Sequence, residues 1–178
     1  MAPTRNRNPF KIVLGSKSMA RKRILAEMGY EFTVVTADID EKEIRKEKPE
    51  DLVMALAEAK VVVYKGMIRE KPSSKEEARE FIKGYSGGHA AVVGSVLVTN
   101  LKTGIKKGGW DKAEVYFHDI PEEVIDNMIE EGISLNVAGG LMLEHPLTLP
   151  FVDTVVGTAD TVMGLTKALT ENLIDEAL

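Results

Sequence analysis

The chain has no cysteine. That excludes disulfides and thiolate metal sites, and it suits a reducing compartment without requiring one. No apolar run approaches the length needed to cross a bilayer. An excess of basic charge is also missing. The net charge is −5, which disfavours a general nucleic-acid-binding role and leaves any phosphate chemistry to a local basic cluster. The three histidines, His89, His118 and His145, stand far apart without metal-ligand spacing and read as structural. Gly-x-Gly-x-x-Gly, P-loop and Gly-x-Ser-x-Gly patterns do not occur. Residues 1–9 carry Arg5 and Arg7 but lack the apolar stretch of a signal peptide, so they read as a flexible N-terminal tail. Together these absences set the expectation of a cytoplasmic protein with neither membrane nor nucleic acid as partner.

What is present is a globular composition, 44% hydrophobic and 29% charged, in 178 residues. That length supports one domain with a real core, or two small lobes sharing one. The most informative stretch is Ile12-Val-Leu-Gly-Ser16-Lys17-Ser18-Met-Ala-Arg21-Lys22-Arg23-Ile-Leu25. An apolar strand enters a Gly-Ser turn, and the turn enters a basic helix start. A helix N-terminus offers backbone N–H groups and a favourable dipole to an anion. Ser16 and Ser18 add hydroxyls, and Arg21 adds a planar fork suited to phosphate or carboxylate. The plainer reading is an ordinary N-cap with Arg21 on a solvated face.

Along the chain, Phe10–Leu14 reads as a buried strand, Ser18–Met28 as a helix closed by Gly29, and Glu31–Thr36 as a β-branched strand. Pro49 opens a helix expected to run through Lys60, with Leu52, Val53 and Leu56 on one face. Val61-Val62-Val63-Tyr64 then reads as a strand with no connecting residue, an abrupt junction given usual loop lengths. Lys65-Gly66 reads as a hairpin turn. A helix over Ser74–Lys83 carries a Ser74/Glu77 capping box. His89–Asn100 and Trp110–Phe117 alternate as strands joined around Lys102-Thr103-Gly104. Asp119-x-x-Glu122 is expected to cap a helix whose apolar positions are Val124, Ile125, Met128 and Ile129. Residues 132–156 read as irregular, and Thr166 caps a last helix bearing Leu169, Leu173 and Ile174. Interleaved strands and helices place the chain in the α/β or mixed class.

Several side chains are suited to chemistry. The run Asp38-Ile39-Asp40-Glu41 suits Mg²⁺, or is a solvated acidic turn. Lys60, at the expected helix end, complements the dipole or reaches a phosphate, and Lys71 before Pro72 has the same two readings. Asp153 and Asp160 read as N-cap or loop residues.

In order, these pieces resemble the Maf family, the septum-formation-inhibitor-like nucleoside triphosphate pyrophosphatases. The matching elements are Leu14-Gly-Ser16-Lys-Ser18-Met-Ala-Arg21, Asp38-Ile-Asp40-Glu41, Leu56-Ala-Glu-Ala-Lys60 and Glu70-Lys71-Pro72. They continue through Glu77-Ala78, Tyr85-Ser86-Gly87-Gly88-His89, Val137-Ala138-Gly139-Gly140 and Val156-Gly157 to Met163-Gly164-Leu165. The resemblance implies an α/β fold like that of the inosine triphosphatases: a mixed twisted sheet flanked by helices, in two lobes with a central cleft. Residues 10–178 would form this single domain, commonly as a homodimer. It also implies Mg²⁺- or Mn²⁺-dependent cleavage of a nucleoside triphosphate to monophosphate and diphosphate. By the same resemblance Ser16, Ser18, Arg21, Lys60 and Lys71 hold phosphates and neutralise the leaving diphosphate, and Glu41 holds the metal.

The family also places an Asp, its proton acceptor, at the start of the strand after the Lys60-type helix. Here that position reads Lys60-Val61-Val62-Val63-Tyr64. By typical element lengths, on the order of 15 residues or more are missing at the 60/61 junction. Three explanations stand: a product that has lost hydrolysis, a natural chain carrying a segment this sequence omits, or Glu41 acting without its partner. Excision within a central strand is expected to disturb the sheet. Glu144 follows the Gly139-Gly140 pair where one branch of the family has Gln. Its carboxylate suits the N1–H and N2–H₂ edge of guanine and a cationic N7-methylated base, or it is a surface residue. With Ala20 in place of an Arg carried by the pyrimidine-selective branch, the resemblance leans toward 7-methyl-GTP, with UTP and dTTP as other substrates.

Overall fold

The computed structural model describes residues 10–16, 18–35 and 53–178. The tail, Lys17, Glu41 with its acidic run, and the Pro49 helix start lie outside the described residues. The elements run β1 (Lys11–Leu14), α1 (Met19–Glu27), β2 (Phe32–Val34), β3 (Val53–Tyr64), β4 (Met67–Arg69), α2 (Lys75–Tyr85), β5 (His89–Asn100) and β6 (Lys106–Phe117). They continue with α3 (Glu122–Glu131), three short 3₁₀ turns, β7 (Val152–Val156), α4 (Ala159–Met163) and α5 (Lys167–Ala177). Strands pair in the order β2-β1-β3-β5-β6-β7, with β4 on β3. The expected mixed α/β class is what the chain adopts.

Two compact units divide the chain. The first comprises the described residues up to Ala59 with Ser95–Trp110 and Gly164–Leu178. In it β1 pairs parallel with β2, Ile12 opposite Phe32, and with β3, Leu14 opposite Leu56. A parallel pair needs a crossover, and α1 supplies it between β1 and β2. Ile12, Leu14, Ile24 and Leu25 are buried, so the apolar strand and one side of α1 face a shared interior. Asn100, also buried, ends β5. Its Nδ2 donates to the Ala177 carbonyl at 2.8 Å, while its Oδ1 accepts from the Lys102 and Thr103 amides.

The second unit comprises Lys60–Gly94 and Asp111–Met163. Its core joins Val62, Ile82, Tyr85, Val92, Val115, Phe117, Ile125 and Met128. The β3–β4 hairpin turns at Lys65 and Gly66, both left-handed at φ 48° and 77°, which is the type I′ geometry that matches strand twist. Arg79 bridges to Glu122 at 2.7 Å and to Asp126, and Lys83 reaches Glu122 at 3.1 Å, so charges join α2 to α3.

Several expectations are corrected. The described part of the expected Pro49–Lys60 helix is strand, continuous with Val61–Tyr64. The helix preference of Leu-Ala-Glu-Ala is worth only a few tenths of a kcal/mol per residue. Pairing with β1 satisfies the backbone of the segment and outweighs it. The abrupt junction at Lys60-Val61 therefore does not exist, and β3 crosses it without a break. β1 pairs with the early part of β3 and β4 with its end. β6 begins at Lys106 rather than Trp110. Asp119 does not cap α3, whose N-cap is Pro121 with no side-chain bond. Residues 132–156 contain three 3₁₀ turns and β7, which takes in Asp153. Asp160 sits in the first turn of α4. Thr166 is the N-cap of α5 by position but makes no side-chain cap bond. Ser74 caps α2 through the Glu77 amide as expected, whereas the Glu77 carboxylate bonds Ser73 instead of Ser74.

Candidate active site

In the first unit, β1 delivers the chain into the Gly15-Ser16 turn. The Gly15 amide donates to Leu56 O at 2.9 Å, and a Cβ on Gly15 would lie 3.3 Å from that carbonyl. The turn is thus held close against β3. Ser18 is the N-cap of α1, its Oγ accepting from the Arg21 amide at 3.4 Å. Ser16 Oγ accepts twice, from the Ser18 amide at 3.2 Å and from Arg21 Nη1 at 3.1 Å. A hydroxyl has two acceptor positions and one donor. Both acceptor positions of Ser16 are filled, so its O–H is left to donate. Arg21 Nε donates to Gly164 O at 2.9 Å. That carbonyl, 143 positions along the chain, fixes the plane of the guanidinium. The structure thus brings Ser16, Ser18 and Arg21 into one hydrogen-bonded group at a helix N-terminus. The ordinary-cap reading is true of Ser18, and the solvated-face reading of Arg21 is not.

In the second unit Lys60 meets the loop containing Gly139 and Gly140 through Leu141, while among the described residues the Lys71 and Glu144 side chains make no hydrogen bond or ion pair with it. Lys60 lies within β3, so it complements no helix dipole. Its Nζ donates to Leu141 O at 3.2 Å. The Gly139 amide donates to Glu70 O at 2.8 Å, next to exposed Lys71. Half-buried Glu144 sits in the turn closed by the His145 amide on Met142 O, at 3.2 Å. Among the described residues its carboxylate has no hydrogen bond or ion pair.

Sequence reasoning passed over what holds this loop. Tyr85 is 1% exposed and donates through its hydroxyl to Gly139 O at 2.8 Å. Burial pushes the Tyr85 hydroxyl pKa up, with Arg69 nearby opposing the shift in part, so the phenol keeps the proton it donates. Arg69 lies 4.1 Å from the Tyr64 ring centre, 4.3 Å from that of Phe81 and 5.3 Å from that of Tyr85, and its Nη1 donates to Phe81 O at 3.3 Å. The Gly139-Gly140 pair was the one signal of such a contact, because adjacent glycines mark close backbone approach.

The histidines occupy three separate settings. His89 stacks on Tyr116 at 5.0 Å, His118 lies 3.6 Å from Asp153, and His145 lies 2.7 Å from Glu131. Among the described residues no three His, Asp or Glu side chains gather closely enough to hold a metal. The expected metal ligand, Glu41, lies outside them. No helix is long and apolar enough to cross a membrane among the described residues.

A strand–turn–helix junction that joins Ser16, Ser18 and Arg21 within a mixed α/β chain, together with the ordered motifs, defines a class. The family model for Maf-like protein matches residues 11–177, and the chain belongs to the Maf family. A 7-methyl-GTP pyrophosphatase of Dictyostelium discoideum is 35% identical over 93% of this chain and 96% of its own length. A dTTP/UTP pyrophosphatase of Alkaliphilus metalliredigens (strain QYMF) is 27% identical over 87% and 90%. A nucleoside triphosphate pyrophosphatase of Trichormus variabilis is 29% identical over 93% of both chains.

Proposed function

We propose that this chain binds a nucleoside triphosphate and belongs to the reaction that cleaves it to monophosphate and diphosphate. The observation that carries the reading is the Ser16–Ser18–Arg21 group, a cradle of hydroxyl, guanidinium and helix N-terminal N–H groups suited to phosphate oxygens. Lys60 and Lys71 supply positive charge to offset the negative charge that develops on the leaving diphosphate. A divalent cation, Mg²⁺ or Mn²⁺, is assigned to Glu41, where it would lower the charge on the phosphates. The protein is read as a cytoplasmic homodimer.

Two observations favour 7-methyl-GTP over UTP or dTTP. Among the described residues the Glu144 carboxylate has no hydrogen-bond or ion-pair partner, which leaves it to accept a guanine edge, and the relative named for 7-methyl-GTP shares 35% identity. The test is diphosphate release from 7-methyl-GTP, UTP and dTTP with Mg²⁺ or Mn²⁺ present. Failure of every nucleotide either to be cleaved or to raise the melting temperature would sink the reading.

A second reading, a nucleotide-binding protein without turnover, is favoured by β3. It runs unbroken through Lys60-Val61-Val62-Val63-Tyr64 and carries no carboxylate there. The pairing with the Dictyostelium enzyme spans 191 positions, more than the 178 residues of this chain, so it includes positions this chain lacks. The lack of a carboxylate at Lys60–Tyr64, where the family resemblance expects its proton acceptor, is what supports this reading. Under this reading nucleotides stabilise the chain and no diphosphate appears.

A further inference from the structure

The loop that meets Lys60 is held by a side chain outside the expected phosphate and metal residues. Tyr85 donates to Gly139 O at 2.8 Å, the Gly139 amide donates to Glu70 O at 2.8 Å, and Lys60 Nζ donates to Leu141 O at 3.2 Å. Gly139 has φ 64°, and a Cβ there would lie 2.6 Å from Val62 Cβ and 2.9 Å from the Tyr85 hydroxyl. The loop is therefore pressed against β3 and α2 as closely as glycine permits. Tyr85 is itself immobilised. Its ring meets Tyr64 edge-on at 5.6 Å and stacks on Phe117 at 5.9 Å, with Arg69 beside it.

We infer that Tyr85 is a positioning residue: its hydroxyl fixes the Gly139–Leu141 loop, and the Leu141 carbonyl in turn aims the Lys60 ammonium. A lysine stem has four rotatable carbons and no preferred direction of its own, so a fixed acceptor decides where its charge sits. Arg69 serves the same purpose one step back, lying over the Tyr64 and Phe81 rings and beside the phenol itself. Tyr85 touches no substrate in this scheme and acts only through the loop.

The nucleotide part of this inference rests on the function proposed above; the loop part does not. The experiment compares wild type, Tyr85→Phe, Lys60→Ala and the double variant. Phenylalanine keeps the ring contacts and deletes only the hydroxyl. Amide hydrogen exchange at Gly139 and Leu141, without nucleotide, is expected to quicken roughly tenfold in Tyr85→Phe, as loss of one hydrogen bond predicts. Calorimetric affinity for 7-methyl-GTP is expected to fall roughly tenfold in Tyr85→Phe on the wild-type background and to be unchanged by the same substitution on Lys60→Ala. A merely structural tyrosine would weaken binding equally on both backgrounds, and that result overturns the proposal. Unchanged exchange at Gly139 and Leu141 overturns it as well. If wild type binds no nucleotide, the function proposed above fails, and the exchange comparison still decides whether Tyr85 holds the loop.

Discussion

At the scale of single residues, two glycines with the same backbone sign make opposite demands. Gly29 closes α1 at φ 83° with nothing within 4 Å of a would-be Cβ, whereas Gly139 at φ 64° has Val62 and Tyr85 in the way. Gly29→Ala is expected to cost about 1 kcal/mol, the backbone term alone. Gly139→Ala adds overpacking to that term and is expected to cost about 3 kcal/mol or more. Urea denaturation of the two variants checks the difference, and equal costs would mean the loop is not pressed against Tyr85. Arg21 shows what residue-level reading can and cannot reach. The Ser-x-Ser-x-x-Arg spacing made the N-cap and the nearby fork legible, since those contacts are local. The Gly164 carbonyl that orients the fork is distant in sequence, and no local pattern announces it. Arg21→Lys keeps the charge and loses the planar geometry. It is expected to weaken nucleotide binding about tenfold, measured by calorimetry.

Elements were legible where their signals were short-range. The β1 strand, the α1 cap, the Lys65-Gly66 turn and the apolar stripe of α3 all follow from neighbours within four residues. The expected helix through Lys60 failed because its rival was a parallel ladder with β1, a partner some 40 positions away in register. Asn100 was passed over for the same reason. Its amide ties the β5–β6 turn to the Ala177 carbonyl at the end of α5. Asn100→Leu leaves the Ala177 carbonyl and two turn amides without their partner and is expected to cost about 2–3 kcal/mol in denaturant melts. At α2 the Glu77 carboxylate accepts from the Ser73 amide and hydroxyl, and these bonds hold its pKa below the ordinary 4.5. A carboxylate whose folded pKa is depressed stabilises the fold above the unfolded value and loses that contribution as pH falls through the folded one. Tm measured from pH 7 downward should therefore show a contribution that fades only below about 4.5, and Glu77→Gln should lack that part of the acid limb.

At the scale of the whole molecule, order of motifs revealed more than any motif did. Each matching segment is a few residues long, and their common sequence over most of the chain is what family membership rests on. Turnover is a separate question, because the family resemblance expects a proton-accepting Asp where this chain reads Lys60-Val61-Val62-Val63-Tyr64. A bound nucleotide stabilises the fold by mass action whether or not it is cleaved, about 2.7 kcal/mol at a hundredfold excess over Kd. Thermal stabilisation therefore tests the cradle, and diphosphate release tests the reaction. A variant that inserts an Asp-bearing segment between Lys60 and Val61 separates the two. If the missing acceptor is what limits this chain, the extended variant should release diphosphate about a hundred to ten thousand times faster at saturating nucleotide, the usual contribution of a general base. Its nucleotide affinity should stay close to that of the present chain, since Ser16, Ser18 and Arg21 are untouched. Equal rates in the two proteins would show that the acceptor role is filled elsewhere in the chain. The intact mass of the native protein then decides which of the two forms the cell makes.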